Sequence, residues 1–485
     1  MKKFLTQSVL VIFVLLMICI YLSTFKYNMF IATVMGGFSL LFIGLIYILN
    51  KRYGIITKLL NNKVLIISLI LIAVLLRLSL FLFHYGDVSS DESTFFWNAV
   101  SLAKGDDINV KYIAVFPYLF SYINLLSLFF RIFGSSLYTA IGLNIIIDLI
   151  GAYFLYLFGK KMFNKNVALL FLLIWLFNPF QIAWCMRAMP LVVVNTTIMI
   201  CLYVFSSLMT CFNKKKKWIF ISFLLGIVIG ISNSFRPIMI IFIIAIFLYY
   251  LYLFLFNKYN FKKLLLSFLI IFISYTCYNS VNNMFISSVV DYELPSNGSG
   301  WSVYVGSNIN SNGAWFYEPE FDAFFDDDNF SPTELHSYFM GRAFDNYKSY
   351  DAFTIVNLMI NKFCVLTQNV YHSAYGNFEG RIVNDNDIYN LFFKAFIYFY
   401  WFLIIIGSIF MFKKLDLKKF DDRMLPYVLL VIGFLLSHLL VEVAARYFLP
   451  ILVPLMIIVG YLFNSLLIDN NVDKKKRKRD VLNEN

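Results

Sequence analysis

The sequence predicts an all-α polytopic membrane protein with about 12 transmembrane helices and a small external domain over residues 285–391. Of its 485 residues, 60% are hydrophobic and only 14% are charged, and the mean hydropathy is +0.75. Soluble domains are about 45–50% apolar and about 25% charged, so this composition excludes a soluble enzyme and a disordered chain. The apolar runs are continuous rather than alternating, which argues against a transmembrane barrel.

Twelve apolar segments approach the length of about 20 residues that a helix needs to cross a bilayer. They cover residues 8–25, 29–49, 64–83, 136–158, 167–184, 191–211, 218–233, 237–256, 264–284, 392–412, 425–441 and 445–466. One more apolar run, at 113–133, is also long enough, but counting it as a span would invert every later basic loop. We therefore expect residues 113–133 to lie along the membrane interface.

The basic residues predict the orientation of the chain, because Lys and Arg collect in the cytoplasmic loops of membrane proteins. With the twelve spans above, 27 of the 40 Lys and Arg residues fall on one side, together with both termini. The net charge of +12 is therefore an orientation signal and not a sign of nucleic-acid binding. The predicted regions are an N-terminal membrane region (1–284) with a long external loop (84–135), an external domain (285–391), C-terminal membrane helices (392–466) and a basic cytoplasmic tail (467–485).

Two acidic residues follow the third span at the predicted outer face. Asp91 and Glu92 come directly after Ser90, at the start of an amphipathic segment. One interpretation is structural, since Ser90 is able to cap a helix whose first turn favours carboxylates. The other is functional: a carboxylate at the membrane boundary takes a proton from a hydroxyl nucleophile or binds a divalent cation. A requirement for Mg²⁺ or Mn²⁺ is left open, and no other cofactor is predicted.

The segment GSGWSVYVGSNINSNGAWFY alternates aromatic residues with Gly, Asn and Ser. Aromatic faces beside amide and hydroxyl groups suit a sugar ring, which has apolar faces and a hydroxylated rim. The alternative is that the same aromatics form the core of a small domain or a belt at the interface. The residues predicted to bind the sugar or the acceptor are Trp301, Tyr304, Asn308, Trp315 and Glu442.

Three arginines, Arg187, Arg236 and Arg446, lie near the predicted outer face. Arginine near a bilayer is costly and usually has a partner or a role. An outward-facing cluster would hold a lipid-linked phosphate through paired hydrogen bonds. The alternatives are that Arg187 and Arg236 extend to the lipid headgroups, and that Arg446 pairs with Glu442 four residues before it on one helix.

Two further acidic features have simpler interpretations. Asp148 lies within a predicted span, where a carboxylate normally marks function; a polar contact with Asn144, one helical turn back, is an adequate alternative. The Asp triplet at 326–328 indicates a solvated acidic turn, because no EF-hand spacing follows it.

The order of these motifs resembles the GT-C class of integral-membrane glycosyltransferases. The similarity is greatest to the branch with the lipid A aminoarabinose transferases, the protein O-mannosyltransferases and their bacterial cell-envelope relatives. The resemblance rests on Asp91-Glu92 and then, in order, WNAVSLAKGD, AVFPYLF, LFGKKMF, SNSFRP, YVGSN…NGAW and EVAARYFLPILVPL. It implies a polyprenyl-phosphate sugar as donor and places Asp91 at the family's catalytic acidic position. Relatives often have a lysine just before the prolines of the interfacial helix; here Phe116 precedes Pro117, and Lys111 lies further back.

Taken together, the residues and the resemblance predict an inverting glycosyltransferase of the cytoplasmic membrane with an external active site. It would move a sugar from a polyprenyl-phosphate donor to a hydroxyl of an envelope glycan, teichoic acid, lipid or protein. The predicted catalytic residues are Asp91, as general base, and Glu92, and the predicted phosphate ligands are Arg236, Arg446, Arg187 and Lys111. A lipid-linked glycan polymerase or ligase is the alternative. A transporter or flippase ranks third, because it favours charges at the bilayer midplane.

Overall fold

The computed structural model describes residues 2–27, 29–83, 88, 90–212, 214, 216–257, 259–295, 298–327, 330–368, 387–410 and 421–463. Within these ranges the regular elements are α-helices and short 3-10 turns, without a strand. The chain is therefore an all-α polytopic membrane protein, as its composition predicted. The predicted basic tail 467–485 lies outside the described residues.

The helices follow one another along the chain in three parts. The first part of the chain forms α1 (Lys2–Tyr27), α2 (Met29–Tyr53), α3 (Ile55–Asn61), α4 (Lys63–Phe83), α5 (Asp91–Lys104), α6 (Val110–Val115) and α7 (Tyr118–Phe133). The middle part forms α8 (Leu137–Met162), α9 (Lys165–Leu176), α10 (Pro179–Cys185), α11 (Leu191–Cys211), α12 (Lys217–Phe235), α13 (Ile240–Asn257) and α14 (Phe261–Val290). The last part forms α15 (Gly300–Ser307), α16 (Pro319–Asp326), α17 (Pro332–Ser349), α18 (Ala352–Gln368), α19 (Asp387–Ile409), α20 (Leu425–Ser437) and α21 (Ala445–Phe463).

Among the described helices, eight are long and apolar enough to cross a membrane, and the bent pair α9–α10 would make a ninth. The eight are α1, α2, α4, α8, α11, α12, α14 and α21. The predicted spans at 237–256, 392–412 and 425–441 coincide with the helices α13, α19 and α20. Each predicted span thus coincides with a helix or a bent pair, while twelve crossings, and the external position of 285–391, stay predictions.

The bend between α9 and α10 has a clear local cause. Asn178 precedes Pro179, and the residue before a proline is pushed out of the helical conformation. Asn178 has a ψ of 108°, and its side-chain oxygen accepts a hydrogen bond from the Phe180 amide. The chain turns by 54° at this point and brings the following segment, with Arg187, back into the protein interior.

The apolar run 113–133, predicted to lie along the interface, is divided at Pro117 into α6 and α7. One face of α7 is buried, and its residues recur at the spacing of an amphipathic helix. That face carries Leu119, Tyr122, Ile123, Leu126 and Phe130. Exposed residues, among them Leu128 and Ile132, lie on the remaining surface. This two-sided character fits an interfacial helix, although its position relative to a membrane stays a prediction.

Helices α12 and α14 pack unusually closely because two glycines face the contact. A Cβ atom added at Gly226 would lie 2.4 Å from the Ile271 carbonyl oxygen, and one at Gly230 would lie 2.7 Å from the Tyr278 ring. Small residues are the usual means of bringing membrane helices together. The residue numbers of the two contacts increase together on both helices, so α12 and α14 run parallel.

Helices α15, α16 and α17 enclose an aromatic cluster. The Trp301 ring is tilted against Phe321 and meets Phe339 edge to face, and Tyr304 contacts Phe339. His336 joins this cluster to α6: its Nε2 lies 2.9 Å from the Val115 carbonyl oxygen, and the Trp301 amide donates to its Nδ1 at 3.4 Å. Burial lowers the pKa of His336. This fits a neutral ring whose Nδ1 accepts from Trp301 and whose Nε2 donates to Val115.

Candidate active site

A cavity of ≈ 640 Å³ lies where α12 and α14 end and α21 begins. It is bordered by α5, α6, the loop 438–444 and the start of α15. The predicted site residues that line it are Asp91, Arg236, Trp301, Trp315, Glu442 and Arg446. Four of these six side chains carry a formal charge, so the cavity brings two carboxylates and two guanidinium groups together.

Asp91 and Arg446 form an ion pair at the cavity wall. The Arg446 Nη2 atom lies 2.6 Å from the Asp91 Oδ2 atom, and the side chains are 32% and 48% exposed, in that order. Asp91 is the first residue of α5, and Arg446 lies in the 3-10 turn that begins α21. The expected side-chain cap by Ser90 is not formed: Ser90 has a φ of 53°, and its side chain does not cap the helix.

Arg236 is held by a ring rather than by a carboxylate. It follows α12 with an extended backbone, φ −159° and ψ 125°, which ends the helix just before Pro237. Its guanidinium carbon lies 4.0 Å from the centre of the Tyr447 ring. Among the described residues, no salt bridge to Arg236 is present. Its hydrogen-bond donors are therefore available to an anion in the cavity.

Glu442 does not pair with Arg446 along one helix, because α20 ends at Ser437 and α21 begins at Ala445. The Tyr447 hydroxyl instead donates to the Glu442 Oε1 atom at 3.1 Å. Burial raises the pKa of the Glu442 carboxyl, and the nearby Arg446 guanidinium acts in the opposite direction. Glu442 is thus a second carboxyl group in the cavity, with proton affinity above that of an ordinary Glu.

The loop 438–444 is fixed by the segment that follows α14. The Glu442 amide donates to the Ser302 carbonyl at 2.7 Å, and the Val443 amide donates to the Gly313 carbonyl at 2.9 Å. Gly306 allows this approach, since a Cβ atom there would lie 2.5 Å from the Val441 carbonyl carbon. The aromatic and asparagine-rich segment therefore positions Glu442 and forms part of the cavity wall.

The predicted sugar-binding residues separate into two groups. Trp315 is 64% exposed and lines the cavity, and Trp301 lines it from the aromatic cluster. Tyr304 and Asn308 do not line it. The Tyr304 hydroxyl donates to Glu318 at 2.6 Å, and the Asn308 side-chain oxygen accepts from two amides of its own turn. For Tyr304 and Asn308 the contacts therefore favour the structural alternative.

Glu92 and Arg187 lie behind the cavity wall and pair with each other. Arg187 Nη1 lies 3.2 Å from Glu92 Oε2, and the Ala188 amide donates to Glu92 Oε1 at 2.8 Å. The Glu92 side chain is fully buried, and that of Arg187 is 11% exposed. Arg187 was predicted to bind the donor phosphate, with a headgroup contact as the alternative, and Glu92 was predicted to be catalytic. Neither residue lines the cavity, and their buried pair fixes α5 to the turn before α11.

Lys111 also lies away from the cavity. Its Nζ atom donates to the Phe325 carbonyl at 2.7 Å and to the Asp327 carbonyl at 3.3 Å, and it stands over the Phe330 ring. These carbonyls belong to the C-terminal end of α16, where a cation is favourable. Lys111 therefore stabilises the acidic turn and does not contact the arginines predicted to share its role.

A buried ion pair between Arg77 and Asp148 was missed by the sequence analysis. The Asp148 carboxylate accepts from Arg77 Nε at 2.9 Å and from the Trp175 indole at 2.8 Å, and both charged side chains are fully buried. Asn144, the expected partner, instead donates to the Arg187 carbonyl. The available signal was Arg77 itself, because an arginine within an apolar span requires a partner.

Metal binding was left open by the sequence, with Asp91 as the candidate carboxylate. Among the described residues, no group of three or more His, Cys, Asp or Glu side chains is arranged to hold a metal ion. The acidic turn at 326–328 was expected to be solvated; Asp326 and Asp327 are exposed, and residue 328 lies outside the described residues.

Comparison with known proteins gives two similarities. A family model described as dolichyl-phosphate-mannose-protein mannosyltransferase matches residues 117–278. The crystal structure of ArnT from Cupriavidus metallidurans, bound to undecaprenyl phosphate, is similar at 13% identity over 82% of this chain and 77% of that chain, with a TM-score of 0.34. No curated protein matches the chain. The predicted resemblance to the mannosyltransferase branch is thus confirmed over residues 117–278, which include Arg236 but not Asp91.

Proposed function

We propose that this protein is an inverting glycosyltransferase of the cytoplasmic membrane, with a polyprenyl-phosphate sugar as donor and a hydroxyl of an envelope molecule as acceptor. The observation that carries the proposal is the juxtaposition of Asp91, Arg446 and Arg236 around one cavity. A carboxylate beside two guanidinium groups provides both a proton acceptor and a site for a phosphate anion. The similarity of residues 117–278 to a mannosyltransferase family supports the same class of reaction.

In the proposed reaction, Asp91 takes the proton from the acceptor hydroxyl as its oxygen attacks the anomeric carbon of the donor sugar. The bond between that carbon and the phosphate oxygen breaks, and its electron pair leaves with the polyprenyl phosphate. Arg236 and Arg446 stabilise the charge that develops on this leaving group. Attack from the side opposite the phosphate inverts the configuration of the anomeric carbon.

Donor binding must compete with the Asp91–Arg446 ion pair. Arg446 Nη2 lies 2.6 Å from Asp91 Oδ2. A phosphate that takes hydrogen bonds from Arg446 weakens its hold on Asp91, and a carboxylate released in this way is a better proton acceptor. We therefore infer that the donor activates the base, which favours donor binding before proton abstraction.

The proposed orientation places the cavity on the external side. Helix α12 runs about 28 Å from Lys217 to the cavity at Arg236, at about 1.5 Å per residue. Among the described residues, the opposite end of the bundle carries Lys217 with Lys161 nearby, and Lys2, which pairs with Asp422 at 2.7 Å. Because basic ends favour the cytoplasm, the cavity end would face out.

The test is the dependence of sugar transfer on donor concentration in Arg236→Lys and Arg446→Lys. Lysine keeps the charge but loses the fork that grips a phosphate with two parallel hydrogen bonds. Loss of one charged hydrogen bond raises the apparent KM for the donor about tenfold or more. Arg131→Lys is the matched control, because Arg131 is exposed, bonds to the Leu102 carbonyl and lies outside the cavity.

The assay uses membranes supplied with polyprenyl-phosphate sugars and compares initial rates at equal amounts of folded protein. Wild-type donor dependence in both the Arg236 and the Arg446 variant would remove the phosphate site from the proposal. The absence of transfer by the wild-type protein from any polyprenyl-phosphate sugar would reject the proposed donor class.

A further inference from the structure

Helix α14 presents a row of asparagines to the cavity. Asn279, Asn282 and Asn283 all line it, next to the buried Ile286. The Asn279 side chain forms a hydrogen bond with the Tyr275 side chain. In the part of the chain that the structure describes, the amides of Asn282 and Asn283 make no hydrogen bond with the protein. Asn282 is half-buried and Asn283 is exposed, so both amides are accessible to a polar ligand in the cavity, to which they offer uncharged donors and acceptors.

The packing of α12 against α14 sets the depth of these asparagines. Gly226 meets Ile271 and Gly230 meets Tyr278, so residues of α14 lie level with residues of α12 about 45 to 48 positions earlier. By the same count, Arg236 lies level with about residue 283. Asn282 and Asn283 therefore share the depth of the proposed phosphate ligand and border the same cavity.

We propose that Asn282 and Asn283 bind the hydroxyl groups of the sugar that is transferred. The inference rests on the proposed function, in which Arg236 holds the donor phosphate. The sugar is joined to that phosphate directly, so it must lie within a few ångströms of Arg236 and at the level of these amides. The acceptor approaches Asp91, which belongs to a different wall of the cavity.

The chemistry of the pair also specifies the face of the sugar that it binds. An asparagine amide offers two donors and an acceptor and carries no charge. Adjacent hydroxyl groups, which also donate and accept, match this set. A carboxylate or an ammonium group on that face would have only neutral partners on α14. The inferred substrate is therefore a sugar that presents uncharged hydroxyls to α14.

The test compares two lipids in the purified full-length protein: a polyprenyl phosphate, and the same lipid carrying a neutral hexose. The wild-type protein should bind the hexose lipid more tightly than the bare lipid. In a variant with both Asn282→Leu and Asn283→Leu this preference should fall roughly 25-fold, at about fivefold for each lost hydrogen bond. Affinity for the bare lipid should remain unchanged, which also shows that the variant is folded.

Ser280→Leu is the matched control, since it adds the same apolar side chain to an exposed position of α14 that does not line the cavity. It should retain the wild-type preference for the hexose lipid. An unchanged preference in the double variant, or a wild-type protein that binds both lipids equally, would overturn the inference and leave the phosphate site standing. Failure of the wild-type protein to bind either lipid would overturn the proposed function itself.

Discussion

Asp91→Asn is the substitution that most directly separates the proposed chemistry from the fold. Asparagine keeps the shape of the side chain and its ability to accept hydrogen bonds near the start of a helix. It does not take a proton from a hydroxyl near neutral pH. If Asp91 is the general base, the rate of sugar transfer should fall by a factor of roughly 100 to 10,000.

The structure indicates that a loss of this size would not come from unfolding. The Asp91 and Arg446 side chains are 48% and 32% exposed, and ion pairs with this exposure contribute only about 0.2–1 kcal/mol to stability. A change of 1 kcal/mol alters the ratio of folded to unfolded protein by about fivefold. Even the upper value leaves most of a 100-fold loss to the chemical step.

The same substitution should not weaken lipid binding, although it lowers the rate of sugar transfer. Asparagine leaves the Arg446 guanidinium without its anionic partner, so a phosphate in the cavity no longer has to displace that partner. Affinity for a polyprenyl phosphate should therefore be unchanged or up to about fivefold higher, by the same ion-pair energy. Transfer would be slow while donor binding is retained.

The measurement is initial transfer rate and lipid affinity for Asp91→Asn at equal amounts of folded protein. Asp106→Asn is the control, because Asp106 is exposed just after the same helix and lies outside the cavity. A full transfer rate in the Asp91 variant would refute its role as base. Weaker lipid binding would refute competition between Asp91 and the phosphate for Arg446.

Four further variants test residues that the structure places outside the cavity. Glu92→Gln leaves the charge of Arg187 buried without its anion and should lower the free energy of unfolding by about 3–5 kcal/mol, measured by denaturation in detergent. Asp148→Asn should cost a similar amount in the same assay, whereas the double variant Arg77→Met/Asp148→Leu should recover most of it. Lys111→Met should leave the donor KM of sugar transfer unchanged, and a raised KM would return Lys111 to the phosphate site.

The fold class and the helices could be predicted because they depend on local sequence. Continuous apolar runs place the spans, and Pro117 and Pro179 mark breaks through a backbone restriction that needs no tertiary information. The bend at Asn178 and the division between α6 and α7 were not predicted as such. Their signals, X-Pro pairs within apolar runs, were present in the sequence.

The cavity residues were predicted only in part, because side-chain partners depend on distant contacts. Arg236 and Arg446 were recognised from the cost of arginine near a bilayer, and Asp91 from its place at the membrane boundary and from the family resemblance. The structure brings all three to one cavity. Sequence distance suggested that Arg446 pairs with Glu442, but the interrupted helix gives it Asp91, 355 positions earlier. No periodicity carries that information.

Asn282 and Asn283 were missed for a related reason. Their helix was read as an apolar span ending at about residue 284, whereas α14 extends to Val290. Both asparagines lay within the predicted span, and no local pattern indicated that they face a cavity. The glycine contacts that bring this helix level with Arg236 depend on α12, which is remote in sequence.

The partners of the four arginines distinguish those that hold the fold together from those that are candidates to bind a ligand. Arg77 and Arg187 have carboxylate partners whose side chains are fully buried, and a buried pair of this kind is costly to break. Arg446 shares a partly exposed carboxylate, and Arg236 rests on the ring of Tyr447. A ligand can replace the present partner of such an arginine at low cost, whereas breaking one of the buried pairs would leave an unpaired charge inside the protein. The phosphate of a donor would therefore be taken up at Arg236 and Arg446, while the buried pairs hold the walls of the cavity.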